Sequence, residues 1–184
     1  MALTRSEQLA IGMPVPEFSL PDVVTGQPVT ADSAAGGKPL AVIFLCRHCP
    51  YVVHVLPEVI RLARDYLPKG VAFLGISAND AATYPDDAPP KLAAMVAERN
   101  VPFPILYDES QDTARAFHAV CTPEFFVFDG PRGLYYHGRL DGSTPGNNVA
   151  CDGGDLRAAL DDLLAGAPPP SSQQPSMGCN IKWK

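Results

Sequence analysis

Positive charge is in short supply in this chain: 14 Lys and Arg face 20 Asp and Glu, leaving a net charge of −6. A nucleic-acid surface needs a basic stripe, so that class of partner is set aside. Long apolar runs are missing as well. None reaches the roughly 18 to 20 residues that span a bilayer, so no membrane partner is expected. Met1 to Gly12 carries one Arg and no apolar core of signal-peptide length. That stretch therefore reads as unprocessed and the protein as cytoplasmic. In that compartment thiols rest reduced, and a close cysteine pair is more often catalytic or metal-binding than structural. There are no internal repeats, and there is one Cys-x-x-Cys with no second matched pair, which leaves a structural zinc site poorly supported.

What is present is an ordinary globular composition, 46% hydrophobic and 18% charged over 184 residues, enough for one domain with a substantial core. Strand and helix patterns alternate, which points to an α/β layered fold. Val15 to Val24 reads as an N-terminal strand closed by a Thr25-Gly26 turn. Leu40 to Leu45 is a continuous apolar run, as expected of a strand buried on both faces. From Cys49 to about Leu67, Val52, Leu56, Val59, Ile60, Ala63 and Leu67 keep helical spacing, with a kink expected at Pro57. Val71 to Ala78 is the next buried strand. A polar loop from Asp80 to Pro90 leads to a helix from Lys91 to about Arg99. Phe103 to Tyr107 reads as a strand and Gln111 to Val120 as a helix.

Phe125 to Phe128 and Leu134 to His137 form a hairpin across Asp129-Gly130-Pro131-Arg132-Gly133. Leu156, Ala159, Leu160, Leu163 and Leu164 then mark the last helix. Residues 1 to 166 make the main domain. Ala167 to Ser176 is a Pro-, Ser- and Gln-rich linker, and the tail to Lys184 carries Cys179, Ile181 and the single Trp183, which is expected to dock.

The stretch that carries chemistry is Cys46-Arg47-His48-Cys49-Pro50. Five cysteines in 184 residues would supply about 0.14 such pairs by chance. Position makes the difference. The pair stands where a buried strand turns into a helix, and the helix N-terminus favours a thiolate. Arg47 and a protonated His48 are expected to lower the Cys46 thiol further. Cys46 is then the attacking thiolate, and Cys49, one turn in, resolves the mixed disulfide.

These residues resemble a known family. Cys46-x-x-Cys49 after an apolar strand, with Thr122-Pro123 before the strand at 125–128, is similar to the thioredoxin superfamily. The resemblance implies a thioredoxin fold, three layers of α/β/α, with Pro123 cis and Thr122 offering its backbone to a substrate strand. Pro14-Val15-Pro16-Glu17-Phe18 and the strand and helix between 103 and 120 resemble the peroxiredoxin-like AhpC/TSA branch: an N-terminal strand extension and a strand-helix insertion. Cys46 to Val52 with the tail Gly178-Cys179-Asn180-Ile181-Lys182-Trp183-Lys184 resembles a bacterial group within it. The departures are informative. Leu45 stands where thioredoxins have Trp, and the strand before Cys46 carries no buried carboxylate. The peroxiredoxin pattern Pro-x-x-x-Thr-x-x-Cys, counted back from Cys49, meets Val42 and Cys46; counted back from Cys46, it meets Pro39 but Ile43. The peroxide-activating hydroxyl is absent in both registers.

Disulfide exchange with a protein or small-molecule disulfide or dithiol is therefore expected, without a cofactor and with an electron donor the sequence does not identify. Slow peroxide reduction and soft-metal (copper) binding at Cys46, Cys49 and a neighbouring His or Cys179 are the alternatives. His48, beside the second cysteine, should raise the reduction potential. Cys179, Cys121 and Glu124 are accessory candidates: a third redox cysteine, a thiol near Pro123 and a proton acceptor. For all three the plainer readings are favoured: a thiol merely packed with the docked tail for Cys179, a packed hydrophobe for Cys121 and a satisfied carboxylate for Glu124.

Overall fold

The computed structural model describes residues 3–131 and 133–184; Met1, Ala2 and Arg132 of the expected hairpin turn lie outside the described residues. At its centre is a five-stranded sheet. Strand β4 (Leu40–Phe44) runs parallel to β5 (Ala72–Ser77), which runs parallel to β6 (Ile105–Tyr107). On its other side β4 pairs antiparallel with β8 (Glu124–Phe128), and β8 with β9 (Leu134–Gly138).

The period-2 geometry of a strand explains why Leu40–Leu45 has no polar member. Ala41, Ile43 and Leu45 enter one core, with the helices α2 (Pro50–Tyr66), α3 (Pro89–Arg99) and α5 (Gly154–Leu164). Leu40, Val42 and Phe44 enter the other, with α1 (Ala31–Ala35) and α4 (Asp112–Ala116). Both faces are covered, which is the expected three-layer arrangement. On the α4 side Phe117 packs edge-on against Phe44, Phe126 and Phe128, with ring centroids 5.3 to 5.9 Å apart. Such pairs add about 0.5–1.5 kcal/mol each beyond burial.

Helix α2 begins where the sequence says it should. Cys49 is its N-cap in extended backbone, and Pro50 fills the first helical position, where a missing N–H costs nothing. Val52, Val55, Leu56, Val59, Ile60, Leu62 and Ala63 form its buried face, and it continues through Pro57 to Tyr66. Two elements are shorter than expected. The N-terminal strand is only β2 (Ser19–Pro21), paired with β3 (Pro28–Thr30) across a turn in which Gly26 has φ +70°. The expected helix to Val120 stops at Ala116, because His118 takes φ +54° and redirects the chain into β7 (Cys121–Thr122).

The tail does not simply lie on the surface. Its strand β10 (Met177–Asn180) runs antiparallel between β1 (Leu3–Arg5) and β7. Ile181 is the buried anchor, whereas Trp183 remains 37% exposed with the Arg115 guanidinium over its ring at 4.5 Å. Among the described residues no helix is long and apolar enough to cross a membrane.

Candidate active site

Cys46 leaves β4 one residue beyond Leu45, and Cys49 caps α2, so the strand-to-helix turn sets both thiols. The Thr122-Pro123 peptide is cis, as expected, and Thr122 faces the pair. Its Oγ1 lies 3.4 Å from Cys46 Sγ, and its carbonyl oxygen accepts from the neutral Cys49 thiol at 3.2 Å. Both cysteines are almost fully buried, and all five cysteines are reduced.

Within the pair, the surroundings of Cys49 favour its thiolate and those of Cys46 oppose it, whereas the sequence pointed to Cys46 as the more acidic thiol. Cys49 Sγ receives hydrogen bonds from the Cys46 and Cys179 thiols and from the backbone N–H groups of Val52 and Cys179. Those four donors outweigh burial and lower Cys49 to about 5. Cys46 moves well above the ordinary thiol range because it hydrogen-bonds to that sulfur, is buried and stands beside the negative charge of Asp87. The expected help from Arg47 and His48 is spent elsewhere. Arg47 forms a long, half-exposed contact with Asp86 at 3.8 Å, and His48 Nδ1 faces Asp87 at 2.5 Å.

Asp87 is the site neighbour that the sequence does not single out. It is fully buried and accepts the backbone N–H of Arg47 at 2.7 Å and of His48 at 3.2 Å. Asn79 Nδ2 donates to its second oxygen at 2.7 Å. A buried carboxylate thus does stand beside the thiols, although it comes from the loop after β5 and not from the strand before Cys46. The only hint in the sequence was Asp87 itself in a proline-punctuated loop, which reads as a solvated turn. Asn79 links this carboxylate to the tail, because its Oδ1 accepts the backbone N–H of Lys182 at 2.8 Å.

Thr122 presents its backbone edge as expected, but the chain's own tail fills it. Cys179 of β10 pairs with Thr122 across the antiparallel register. Beside Pro123 a cavity of about 220 Å³ is lined by Tyr51, Pro123, Arg139, Ser143 and Met177, among others. Glu124 is buried and satisfied by His137 Nε2 at 2.7 Å and the N–H groups of Val120 and Cys121 at 2.8 and 3.1 Å. Burial and that carboxylate push the Cys121 thiol far up, so it is a packed group. Cys46, His48 and Asp87 offer ligand atoms within 4.8 Å of one another. Asp87, however, already accepts from four groups, Arg47 N, His48 N, His48 Nδ1 and Asn79 Nδ2, which leaves the set poorly disposed toward a soft cation.

The family model described as AhpC/TSA family matches residues 11–136, which includes the thiol pair, Asp87 and Thr122-Pro123. The chain belongs to the AhpC/TSA family. An uncharacterized conserved protein from Geobacillus kaustophilus is 44% identical, with a TM-score of 0.97 over 100% of this chain and 97% of that one. A thiol:disulfide interchange protein of the thioredoxin family from Chlorobium tepidum TLS shares the fold at 19% identity, with a TM-score of 0.65 over 85% of this chain and 99% of that one. Protein FixW of Rhizobium leguminosarum is 25% identical over 141 residues, 73% of this chain. The chain spans 63% of the length of that curated relative. This AhpC/TSA member is therefore thioredoxin-like in its fold, with the N-terminal hairpin and the β6–α4 segment added to it.

Proposed function

We propose that this AhpC/TSA protein is a thiol-disulfide oxidoreductase that cycles Cys46 and Cys49 between dithiol and disulfide. The observation that carries the reading is the buried sulfur pair at the N-terminus of α2, facing the cis Thr122-Pro123 peptide with Thr122 Oγ1 3.4 Å from Cys46 Sγ and the Thr122 carbonyl oxygen 3.2 Å from Cys49 Sγ. In the reducing direction the Cys49 thiolate attacks one sulfur of a substrate disulfide, and the other sulfur leaves with the bonding electrons. Cys46 then gives up its proton, with Asp87 a buried carboxylate within 4.8 Å, and attacks Cys49. The substrate leaves as two thiols and the protein keeps the Cys46–Cys49 disulfide. Run backwards, the same steps oxidise a dithiol. A protein or small-molecule disulfide is the substrate class that fits this reading, in a cytoplasmic setting that keeps the pair reduced.

The test is turnover of glutathione disulfide and of a hydroperoxide by the full chain, coupled to a dithiol reductant. Disulfide turnover by the wild type that is lost in Cys49→Ala supports the reading. Hydroperoxide turnover alone would replace it with a peroxidase. Stoichiometric copper or zinc in protein purified without chelator, removed by Cys46→Ala, would replace it with metal handling.

A further inference from the structure

The two-cysteine cycle leaves Cys179 without a task, although few positions in the chain are so closely held. β10 places Cys179 opposite Thr122, whose carbonyl oxygen touches Cys49 Sγ. From there both the Cys179 thiol and its backbone N–H hydrogen-bond to the Cys49 sulfur. Cys49 is thus flanked by two sulfurs, Cys46 from its own turn and Cys179 from the tail. The close approach is built in. A Cβ at position 178 would stand 2.0 Å from the Thr122 carbonyl oxygen, so only glycine lets β10 come this near. Ile181 N to Val120 O at 3.0 Å and Lys182 N to Asn79 at 2.8 Å hold the strand just beyond the cysteine. Cys121, one strand over, shows the contrast: its thiol faces a carboxylate and a carbonyl, with no sulfur in hydrogen-bond contact.

We propose that Cys179 is a second resolving thiol for Cys49, so that the oxidised chain is held either as Cys46–Cys49 or as Cys49–Cys179. The proposal rests on the disulfide-exchange reading above. Attack of Cys49 on a substrate disulfide gives a mixed disulfide and releases one substrate thiol. The Cys179 sulfur then bonds to the Cys49 sulfur, and the bond from Cys49 to the substrate sulfur breaks. The substrate sulfur leaves with the electron pair and takes the Cys179 proton. Two protein thiols have lost two electrons and one substrate disulfide has gained them, so no further reactant is needed. Moving the disulfide from Cys46–Cys49 to Cys49–Cys179 is redox-neutral and returns Cys46 as a thiol. The tail strand is then covalently tied to the N-terminus of α2 while Cys46 is again available.

The experiment uses the full-length reduced chain, wild type and Cys46→Ser, with glutathione disulfide as the probe. Trypsin separates all three cysteines, since it cuts after Arg47, Arg61, Arg157 and Lys182. Expected for Cys46→Ser are two glutathiones released per chain and a Cys49–Cys179 cross-linked peptide. Expected for the wild type is that same peptide beside the Cys46–Cys49 one. The proposal is overturned if Cys46→Ser stops at one glutathione with Cys49 glutathionylated and the wild type contains only Cys46–Cys49. That wild-type result needs no variant to fold, and it leaves the exchange reading standing. If the wild type releases no glutathione and forms no intramolecular disulfide, the exchange reading fails and this proposal with it.

Discussion

Replacing Asp87 by Asn removes a buried carboxylate charge beside Cys46 while keeping an oxygen for the Arg47 and His48 N–H groups. The ligand atoms of Cys46 and Asp87 lie within 4.8 Å. At that separation two unit charges interact by about 3 kcal/mol at an effective dielectric of about 20, which is roughly a hundredfold or more in an ionisation equilibrium. The hydrogen bond that the same carboxylate makes to His48 Nδ1 offsets part of this. We therefore expect the share of thiolate on Cys46 relative to Cys49 to rise at least about tenfold. The assay is peptide-resolved alkylation with a small neutral reagent at neutral pH, because cleavage after Arg47 puts the two cysteines on different peptides. The wild type should label Cys49 first and Asp87→Asn should shift labelling toward Cys46. The variant should also lose about 1–3 kcal/mol of stability, since Asn79 Nδ2 and His48 Nδ1 then face an amide. An unchanged labelling ratio in a folded variant, or first labelling of Cys46 in the wild type, would refute the placement of charge on Cys49.

Three further outcomes follow from the same geometry. Cys49 is lowered to about 5 and Cys46 raised, so the dithiol carries one proton between those limits and two below. The reduction potential, followed against glutathione buffers, should fall by about 30 mV per pH unit above pH 5 and about 59 mV per unit below it, and the stability that Cys49 ionisation lends the reduced chain should disappear as pH falls through about 5. A single slope of 59 mV through neutral pH would contradict the lowered thiol. His48→Pro removes the ring and the N–H that face Asp87, leaving that carboxylate less compensated beside the thiols, and should make the potential more negative by about 30 mV or more; an unchanged value removes His48 from the redox machinery. Gly178→Ala, whose Cβ would meet the Thr122 carbonyl at 2.0 Å, should cost at least about 3 kcal/mol, lower Tm by about 6–12 °C and shift the emission of Trp183 as β10 lifts. Wild-type melting and emission would show that the tail is not held as described.

The parts of this site legible in the sequence are the local ones. The apolar run at Leu40–Leu45, Cys46 and Cys49 at the turn, and Pro50 at the first helical position fix strand, thiols and helix within eleven residues, and Thr122-Pro123 marks the facing loop. What stayed hidden depends on residues far apart in the chain. Asp87 acts on Cys46 from 41 positions away, and nothing in Asp86-Asp87 distinguishes the exposed carboxylate from the buried one. Asn79 matters only because Lys182 closes onto it from the far end of the chain. Thr122 looked like a free edge because a strand as short as Met177–Asn180, after a Pro-rich stretch, has no periodicity to read. The placement of charge on Cys49 was missed for the same reason, since Cys179, which donates to it twice, arrives with that strand. Trp183 drew attention as the tail's anchor by size alone, whereas Ile181 is the side chain that is buried.

The most direct test of the central claim is equilibration of the full chain across a range of glutathione redox ratios, followed by acid quenching and peptide mapping. A two-electron transition that converts Cys46 and Cys49 reversibly into a disulfide is the expected result. A chain in which no ratio produces a disulfide at Cys49 would contradict it.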